Sequence, residues 1–292
     1  MGDAKNKVTI LVSNFSKAPR VVENVRDLLR QETDFDFKVF VTDNSCNEEQ
    51  RKILREGLRP CPEVGLFINS QNLGYSKGHN VIRGKEVGDY IFIVNPDILF
   101  KEKDTLQKMV DYMDENPDIA ILGPQQINDN GEIAMTVRAF PKFYIQVARR
   151  TFLRYLPIIK EKVAYDEMKH LDYSQIQDVD WLQSSCVIIR RDFWEKVGGY
   201  NEYYFLFMAD TEMCVKAWEM GYRVVYFPKT RVYADGKRIS EGGLKDFFNN
   251  WIIRQHVIDS IKYRLKYFWK GNSRDEYYRK HSSRNQKMHE SI

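Results

Sequence analysis

Residues 90–97 read YIFIVNPD, five consecutive apolar residues followed by a polar turn. An apolar run without alternation is typical of a strand buried on both faces, as in a parallel sheet. Its turn places the Asp97 carboxylate at the carboxyl end of the strand, where open α/β sheets bind ligands. YIFIVNPD therefore predicts a buried central strand. The turn is either a ligand site or a proline turn that caps the next element.

The segments on either side of this strand alternate between helix and strand patterns. Residues 18–31 carry Val21, Val22, Val25 and Leu28 at the spacing of one helix face. The sequence also predicts helices over 48–58, 75–87 and 104–115, and strands over 7–13, 37–42, 64–69 and 119–122. Alternation through the first 125 residues indicates an open, mostly parallel sheet with helices on both faces.

The second half of the chain is less regular. Residues 129–131 (DNG) predict a hairpin turn, and residues 139–172 lack a clear period. Strands are predicted over 179–190, 223–227 and 231–233, and a helix over 210–220 that Gly221 ends. A long helix is predicted over 246–269, with apolar residues at Phe247, Trp251, Ile258, Ile261, Leu265 and Phe268.

The net charge of +4 among 292 residues is concentrated at the carboxyl end. Residues 251–292 hold ten Lys and Arg against four Asp and Glu, whereas the rest of the chain holds 35 against 37. A basic tail indicates an acidic partner such as a lipid headgroup surface. A solvated helix with a frayed end explains the charge equally well.

Two features bear on the cellular compartment. No run approaches the roughly 18 apolar residues of a membrane span, and the short polar N-terminus does not resemble a signal peptide. Cys46, Cys61, Cys186 and Cys214 lack CxxC or zinc spacing, which favours free thiols in a reducing cytoplasm. We therefore expect a cytoplasmic protein, with peripheral contact to the inner membrane face as a further hypothesis.

The loop after the first strand argues against two classes of nucleotide enzyme. Rossmann dehydrogenases and nucleotidyltransferases need glycines there, so that phosphates approach a helix N-terminus. Residues 14–19 read NFSKAP and contain no glycine, and no Walker-type loop occurs in the chain. Both classes are disfavoured.

Two further polar clusters follow predicted strands. Asp43 ends the second strand, where a carboxylate accepts a hydrogen bond from a uracil or thymine imide or forms an Asx turn. Residues 72–80 read NLGYSKGHN, whose glycines permit close approach of a ligand and whose Lys77 suits a phosphate. An ordinary left-handed turn and helix start remains the alternative for this loop.

Asp210 begins a predicted helix directly after the apolar stretch 203–208, YYFLFM. It is either an N-cap or a general base, and apolar surroundings raise the pKa of a carboxyl group.

These segments, in this order, resemble glycosyltransferase family 2, the inverting enzymes of GT-A fold, and look closest to bacterial rhamnosyltransferases of polysaccharide biosynthesis. The matching segments span about residues 8–240: VTILVSN, VTDNS, NSQNLGYSKGHN, YIFIVNPDI, ILGPQ, VDWLQSSCVIIRRDFWEKVGGYNEYYFLFMADTEMCVKAWEMGYRVVYFP and GKRIS. The resemblance implies a GT-A domain over 1–245, with a nucleotide-binding half (1–125) and an acceptor half (126–245). Residues 246–292 then form a basic amphipathic helical tail.

The resemblance assigns roles to individual residues. Asp210 is the catalytic base, Asp43 holds the pyrimidine, and Asp97 is the surviving carboxylate of the metal motif for Mg²⁺ or Mn²⁺. The expected donor-binding residues are Asn14, Asp43, Asn44, Asn72, Gly74, Lys77, Asn80, Asn95, Asp97 and Arg238. The expected acceptor-binding residues are Trp181, Ser184 and Glu212.

The implied reaction moves a sugar from a nucleotide donor, dTDP-L-rhamnose first and a UDP-sugar second, to a glycan or lipid-linked acceptor. No nucleic-acid partner is expected, and a homodimer is a further hypothesis. Two positions depart from the family pattern. Ala209 stands where the family usually has Glu, and residues 233–235 (YAD) stand where relatives often carry His. These departures keep open a non-catalytic module that binds a sugar nucleotide or a glycan.

Overall fold

The computed structural model of the chain describes residues 6–141, 145, 148, 151–234 and 250–289. Its first part alternates between strands and helices, as predicted. The elements are β1 (Asn6–Asn14), α1 (Ala18–Leu28), β2 (Asp36–Asp43), α2 (Glu48–Leu58), β3 (Gly65–Ile68), α3 (Gly74–Asn80), β4 (Tyr90–Val94), β5 (Ile98–Leu99), α4 (Thr105–Glu115) and β6 (Ile119–Asn128).

The second part adds short strands and the carboxyl-terminal helices. Its elements are β7 (Val137–Arg138), a 3₁₀ turn (Phe152–Tyr155), α5 (Pro157–Asp166), β8 (Gln177–Asp178), β9 (Trp181–Leu182), β10 (Cys186–Arg190), α6 (Arg191–Val197), α7 (Ala209–Glu219), β11 (Arg223–Ala234), α8 (Trp251–Tyr267) and α9 (Ser273–His289).

Among the described residues, nine strands form the central sheet, in the order β3-β2-β1-β4-β10-β6-β11-β5 with β8 paired to β11. β1 runs parallel to β2 and β4, β2 to β3, and β6 to β11. β10 lies antiparallel between β4 and β6. The prediction of a mostly parallel sheet flanked by helices is confirmed.

The core lies on both faces of this sheet. Tyr90, Phe92 and Val94 of β4 belong to one buried cluster, and Ile91 and Ile93 belong to the other. Neighbouring side chains of a strand point to opposite faces, so β4 is covered on both sides. The unbroken apolar run in its sequence has this physical origin.

The predicted helix over 75–87 ends early, at Asn80. The Asn80 side chain forms two hydrogen bonds with the backbone of Tyr200. Its Oδ1 accepts from Tyr200 N–H, and its Nδ2 donates to Tyr200 O. Gly84 then adopts a left-handed φ of 76°, which a continuing helix does not allow. Helical periodicity in the sequence does not reveal this tertiary stop.

The predicted strand over 179–190 is divided into β9 and β10. Between them the backbone hydrogen bonds are made to loop residues and not to a neighbouring strand. Gln183 N–H donates to Thr136 O at 2.9 Å, and Asn95 N–H donates to Ser185 O at 2.7 Å. Residues 183–185 therefore lie beside the end of β4. The strands predicted over 223–227 and 231–233 are one strand, β11, with an irregularity between Phe227 and Arg231.

The carboxyl-terminal helices pack onto the same core. Lys266 of α8 pairs with Glu212 of α7 at 2.6 Å, and Arg274 of α9 pairs with Asp180 at 3.1 Å. The Tyr277 ring lies 5.1 Å from that of Trp218. Part of the basic charge of the tail therefore pairs with acidic groups of the core. The predicted boundary at residue 245 lies outside the described residues.

Candidate active site

A cleft of about 180 Å³ opens at the carboxyl ends of β1, β2 and β4. The three polar clusters singled out in the sequence meet here with the chain before α7 and the start of α8. The lining residues are Ser13, Phe15, Lys17, Asn44, Asn72, Gly74, Tyr75, Asn95, Pro96, Asp97, Phe205, Leu206, Trp251 and Ile252.

Asp43 is fully buried at the end of β2, next to this cleft. Its Oδ1 accepts from Asn14 Nδ2 at 2.8 Å and from Ser45 N–H at 3.0 Å. Its Oδ2 has no hydrogen-bond partner among the described residues, and Arg51 Nε lies 3.6 Å from it. Because buried acceptors are nearly always satisfied, this oxygen is a candidate contact for a ligand N–H.

Asn14 and Asn44 connect the ends of β1 and β2 to the loop before α3. Asn14 Oδ1 accepts from Lys17 N–H at 2.9 Å, while Asn44 donates to Gly74 O at 3.1 Å and accepts from Asn69 Nδ2 at 2.8 Å. Both side chains are thus engaged within the protein. Asn44 still lines the cleft, and α3 packs so closely on it that a Cβ at Gly78 would lie 2.2 Å from its Nδ2.

Only the first two residues of α3 border the cleft, Gly74 and Tyr75. Asn72 Oδ1 accepts from Gly74 N–H at 2.9 Å and sets the turn. Lys77 and Asn80, expected at the donor site, are not among the described residues that line it. Lys77 is exposed on α3, and Asn80 is committed to the backbone of Tyr200.

Asp97 lies at the end of β4 with Lys17 Nζ 3.9 Å from its Oδ2. Asn95, in the same turn, accepts from Ile98 N–H at 3.1 Å. Lys17 and Arg51 were not predicted as site residues. Lys17 stands in the glycine-free loop NFSKAP, and the only signal in the sequence was a cation after a strand end.

The residues around Asp97 fit one kind of divalent-cation site. Among the described residues, no group of three or more His, Cys, Asp or Glu side chains forms a protein cage for a metal. Mg²⁺ is commonly held by one or two carboxylates together with ligand phosphates and water. A single carboxylate in the lining of a cleft suits that second arrangement. Arg238, expected at the phosphates, lies outside the described residues.

Asp210 lies in the first turn of α7, which begins at Ala209 after Met208. The alternative that Asp210 is the N-cap is therefore wrong, because Met208 holds that position. Asp210 Oδ1 accepts from Thr211 N–H at 2.8 Å. Burial raises the pKa of Asp210 from 3.8 to about 6, although backbone hydrogen bonds from Thr211 and Ser184 work in the opposite direction. Such a pKa suits a base near neutral pH.

Tyr75 lies within electrostatic range of both carboxylates, Asp97 and Asp210. Burial raises the pKa of its hydroxyl, and the negative charges of Asp210 and Asp97 raise it further. The hydroxyl donates to Ser184 O at 3.0 Å and lies 2.7 Å from Ser184 Oγ. The centroid of the His79 ring lies 4.0 Å from that of Tyr75, with the two rings tilted by 39°. Burial lowers the pKa of His79 to about 4. The aromatic pair beside the cleft is therefore neutral near pH 7.

The three residues expected at an acceptor site lie apart. Ser184 is buried beside Tyr75, and Trp181 donates from Nε1 to Ala139 O at 2.9 Å. Glu212 is buried on another face of α7, where it accepts from Asn201 Nδ2 at 2.9 Å. It borders a separate cavity of about 560 Å³ whose lining includes several charged side chains. The structure brings Ser184, but not Glu212, into contact with both Tyr75 and Asp210.

Solved structures share this architecture. The mannosyltransferase PcManGT from Pyrobaculum calidifontis, in complex with GDP-Man and Mn²⁺, aligns with a TM-score of 0.58 at 15% identity, over 92% of this chain and 66% of that one. GalNAc-T7 with UDP, GalNAc and Mn²⁺ aligns with a TM-score of 0.59 at 13% identity, over 84% and 47%. At these identities the likeness concerns the fold. The fold and its cleft define a protein of the GT-A class.

The chain belongs to the family described as glycosyltransferase like family 2, which it matches over residues 5–244. It is 26% identical over 182 residues to N-acetylglucosaminyl-diphospho-decaprenol L-rhamnosyltransferase of Mycobacterium tuberculosis, covering 59% of this chain and 58% of that protein. It is 28% identical over 142 residues to rhamnosyltransferase WbbL of Escherichia coli, covering 48% and 50%. The chain thus spans less than two thirds of the length of these relatives.

Proposed function

We propose that this protein is an inverting glycosyltransferase that moves a sugar from a nucleotide donor to a hydroxyl group of a glycan or lipid-linked acceptor. One observation carries the proposal: Tyr75 lines the cleft together with Asp97, and its hydroxyl lies 2.7 Å from Ser184 Oγ, while the backbone of Ser184 donates to Asp210. A carboxylate suited to diphosphate and cation thus lies near a carboxylate suited to proton removal.

The donor is recognised through Asp43. Oδ1 is fixed by Asn14, and the unsatisfied Oδ2 accepts the imide N–H of uracil or thymine. We propose dTDP-L-rhamnose as the first candidate and a UDP-sugar as the second. The similarity to two rhamnosyltransferases supports the choice of rhamnose.

The diphosphate occupies the cleft beside Asp97 and Lys17. Asp97 would hold a Mg²⁺ or Mn²⁺ ion, which would supply positive charge to the diphosphate leaving group. Lys17 adds a fixed positive charge to the same place. We assign the phosphate-facing role to Lys17 in place of Lys77, and Arg238 stays a proposal from the family resemblance.

Asp210 removes the proton of the acceptor hydroxyl as its oxygen attacks the anomeric carbon. The nucleoside diphosphate leaves on the opposite side, so the configuration inverts. Tyr75 and Ser184 hold the wall between donor and base through their hydroxyl groups, 2.7 Å apart. On this scheme Trp181 and Ser184 border the acceptor, whereas Glu212 supports α7 from the far side.

A lipid-linked acceptor implies contact with a membrane surface, from the cytoplasmic side. Among the described residues, no helix has the length and apolarity to cross a bilayer. The outer face of α8 exposes Ile258, Ile261, Leu265 and Phe268 at 46%, 51%, 75% and 68%. This helical stripe suits the interface of a bilayer, and a homodimer contact is the alternative outcome of its test.

Nucleotide titration tests the proposal. Calorimetry of the purified protein with UDP, dTDP and GDP, with and without Mn²⁺, is expected to show binding that prefers the pyrimidines. Asp43→Asn is expected to weaken that binding about tenfold, as for loss of a hydrogen bond to a charged group. Asp36→Asn, at the exposed opposite end of β2, is the matched control. Equal affinity of wild type for GDP and for the pyrimidines would contradict the role of Asp43.

A second candidate, a non-catalytic module that binds a sugar nucleotide, is favoured by Ala209 in the place of the usual Glu. Both candidates predict nucleotide binding. Hydrolysis or transfer of a bound nucleotide-sugar by wild type, and its loss in Asp210→Asn, would decide for the enzyme. Binding without any turnover would decide for the module.

A further inference from the structure

The outer helix α8 holds the chain segment that leads into α7. We propose that Asp259 of α8 is a positioning residue: it fixes the backbone of residues 205–207, and thereby one wall of the donor cleft and the place of Asp210. This inference rests on the proposed function of the cleft. The structure thus gives the carboxyl-terminal segment a part in the site, beyond any contact with a membrane.

Asp259 is fully buried and accepts three successive backbone N–H groups. Phe205 donates to Oδ1 at 3.3 Å, and Leu206 and Phe207 donate to Oδ2 at 2.9 and 3.0 Å. Successive N–H groups that converge in this way form a concavity for an anion. Because an uncompensated buried charge is costly, the carboxylate and these amides hold each other in place.

Two other residues of α8 also contact the segment before α7. Lys262 Nζ donates to Tyr203 O at 2.7 Å and lies 3.8 Å from Asp259 Oδ1. The rings of Phe207 and His256 meet edge to face at 4.5 Å. The apolar stretch before α7 is therefore held along its length by one helix, and Asp259 supplies the hydrogen bonds at its centre.

The held segment forms part of the cleft. Phe205 and Leu206 line it, together with Trp251, whose ring lies 5.7 Å from that of Phe205. Phe205 O accepts from Tyr75 N–H at 2.7 Å, and a Cβ at Gly74 would lie 2.4 Å from that oxygen. The segment thus presses on the first turn of α3, and a shift of its backbone changes the width of the cleft.

The same segment leads directly to the proposed base. Met208 has a left-handed φ of 69°, α7 begins at the next residue, and Asp210 follows in its first turn. A non-glycine residue with positive φ persists only where its surroundings over-determine the backbone. The three amides on Asp259 supply that constraint immediately before Met208.

Hydrogen exchange tests the attachment itself, independently of any ligand. In the wild type, the amides of 205–207 are expected to be protected. In Asp259→Asn, which removes the charge and keeps one acceptor oxygen, they are expected to exchange about tenfold faster or more. Asp111→Asn, an exposed acid of α4 that accepts from Gln107, is the control and leaves these amides unchanged. Unchanged exchange in Asp259→Asn would overturn the inference.

Donor titration then tests the coupling to the site. With UDP and dTDP as probes, Asp259→Asn is expected to lower nucleotide affinity about tenfold and to raise the KM for the donor. A purely structural role lowers the melting temperature but leaves the affinity of the folded protein unchanged. Lys262→Met, which removes the hydrogen bond from the same helix to Tyr203 O and leaves the cleft lining intact, provides a second variant should Asp259→Asn fail to fold.

The outcomes separate the two proposals. If the wild type binds neither nucleotide, the proposed function fails, whatever the exchange data show. If the wild type binds and both variants bind equally well, the positioning role fails and the proposed function stands.

Discussion

Replacing Asp210 with Asn is expected to lower transfer by about 10²-fold or more and, at the same time, to stabilise the protein above pH 6. Burial raises the pKa of Asp210 from 3.8 to about 6 in the folded chain. The protonated carboxyl of Asp210 makes its full contribution to the stability of the folded state below pH 3.8. This contribution is lost as the pH rises through about 6, because the buried group then ionises. A pKa difference of about 2 corresponds to about 3 kcal/mol, and partial exposure of Asp210 makes this an upper value.

Urea unfolding at pH 4, 6 and 8 measures the effect on stability. Because Asn is neutral throughout, Asp210→Asn and wild type should have similar free energies of unfolding near pH 4. At pH 8 the free energy of unfolding of the variant should exceed that of wild type by up to about 3 kcal/mol. Asp111→Asn, on the exposed face of α4, controls for loss of a carboxylate without burial.

Kinetics supply the other half of this prediction. Removal of a general base lowers transfer by about 10²-fold or more, and donor affinity should stay nearly unchanged. Wild-type transfer should rise as the pH increases through about 6, where Asp210 ionises. A stability difference that is the same at pH 4 and pH 8, or transfer that survives in Asp210→Asn and falls in Glu212→Gln, would refute the reasoning.

Further predictions address the cation, the phosphates, His79 and the outer helix. Asp97→Ala should abolish Mn²⁺-dependent binding of a nucleoside diphosphate in calorimetry, and unchanged dependence would reduce Asp97 to a turn residue. Lys17→Met should weaken UDP binding about tenfold and leave uridine binding unchanged, as for loss of a charged contact. Burial lowers the pKa of His79 from 6.5 to about 4, so the folded state loses stability as the pH falls through this range. Between pH 6.5 and pH 4 the free energy of unfolding of wild type should therefore fall by up to about 3 kcal/mol more than that of His79→Phe. Parallel pH curves of the two proteins in urea unfolding would exclude this. Leu265→Ser with Phe268→Ser should reduce co-sedimentation with anionic liposomes, and unaltered sedimentation would rule out this stripe as the membrane contact.

Helices and strands whose bounds follow from the spacing of apolar residues were predicted correctly from the sequence. The helix over 48–58 and the strand over 90–94 have the bounds that the pattern indicated. The apolar stretch before Asp210 predicted a raised pKa, and burial does raise it. In each case the cause lies within a few residues of the position concerned.

The parts that sequence reasoning missed depend on contacts between distant segments. Asn80 looked like a ligand residue in a glycine-rich loop, but it bonds to Tyr200, 120 positions along the chain. Asp259 was assigned to a basic tail, whereas its carboxylate binds amides 52 to 54 positions earlier. No periodicity encodes such pairings.

A crystal structure of the protein with dTDP or UDP and Mn²⁺ would decide where the donor binds. We expect the pyrimidine imide at hydrogen-bond distance from Asp43 Oδ2, with the diphosphate beside Asp97 and Lys17. A nucleotide bound in the separate cavity beside Glu212, or a cleft that stays empty at saturating nucleotide, would contradict this expectation.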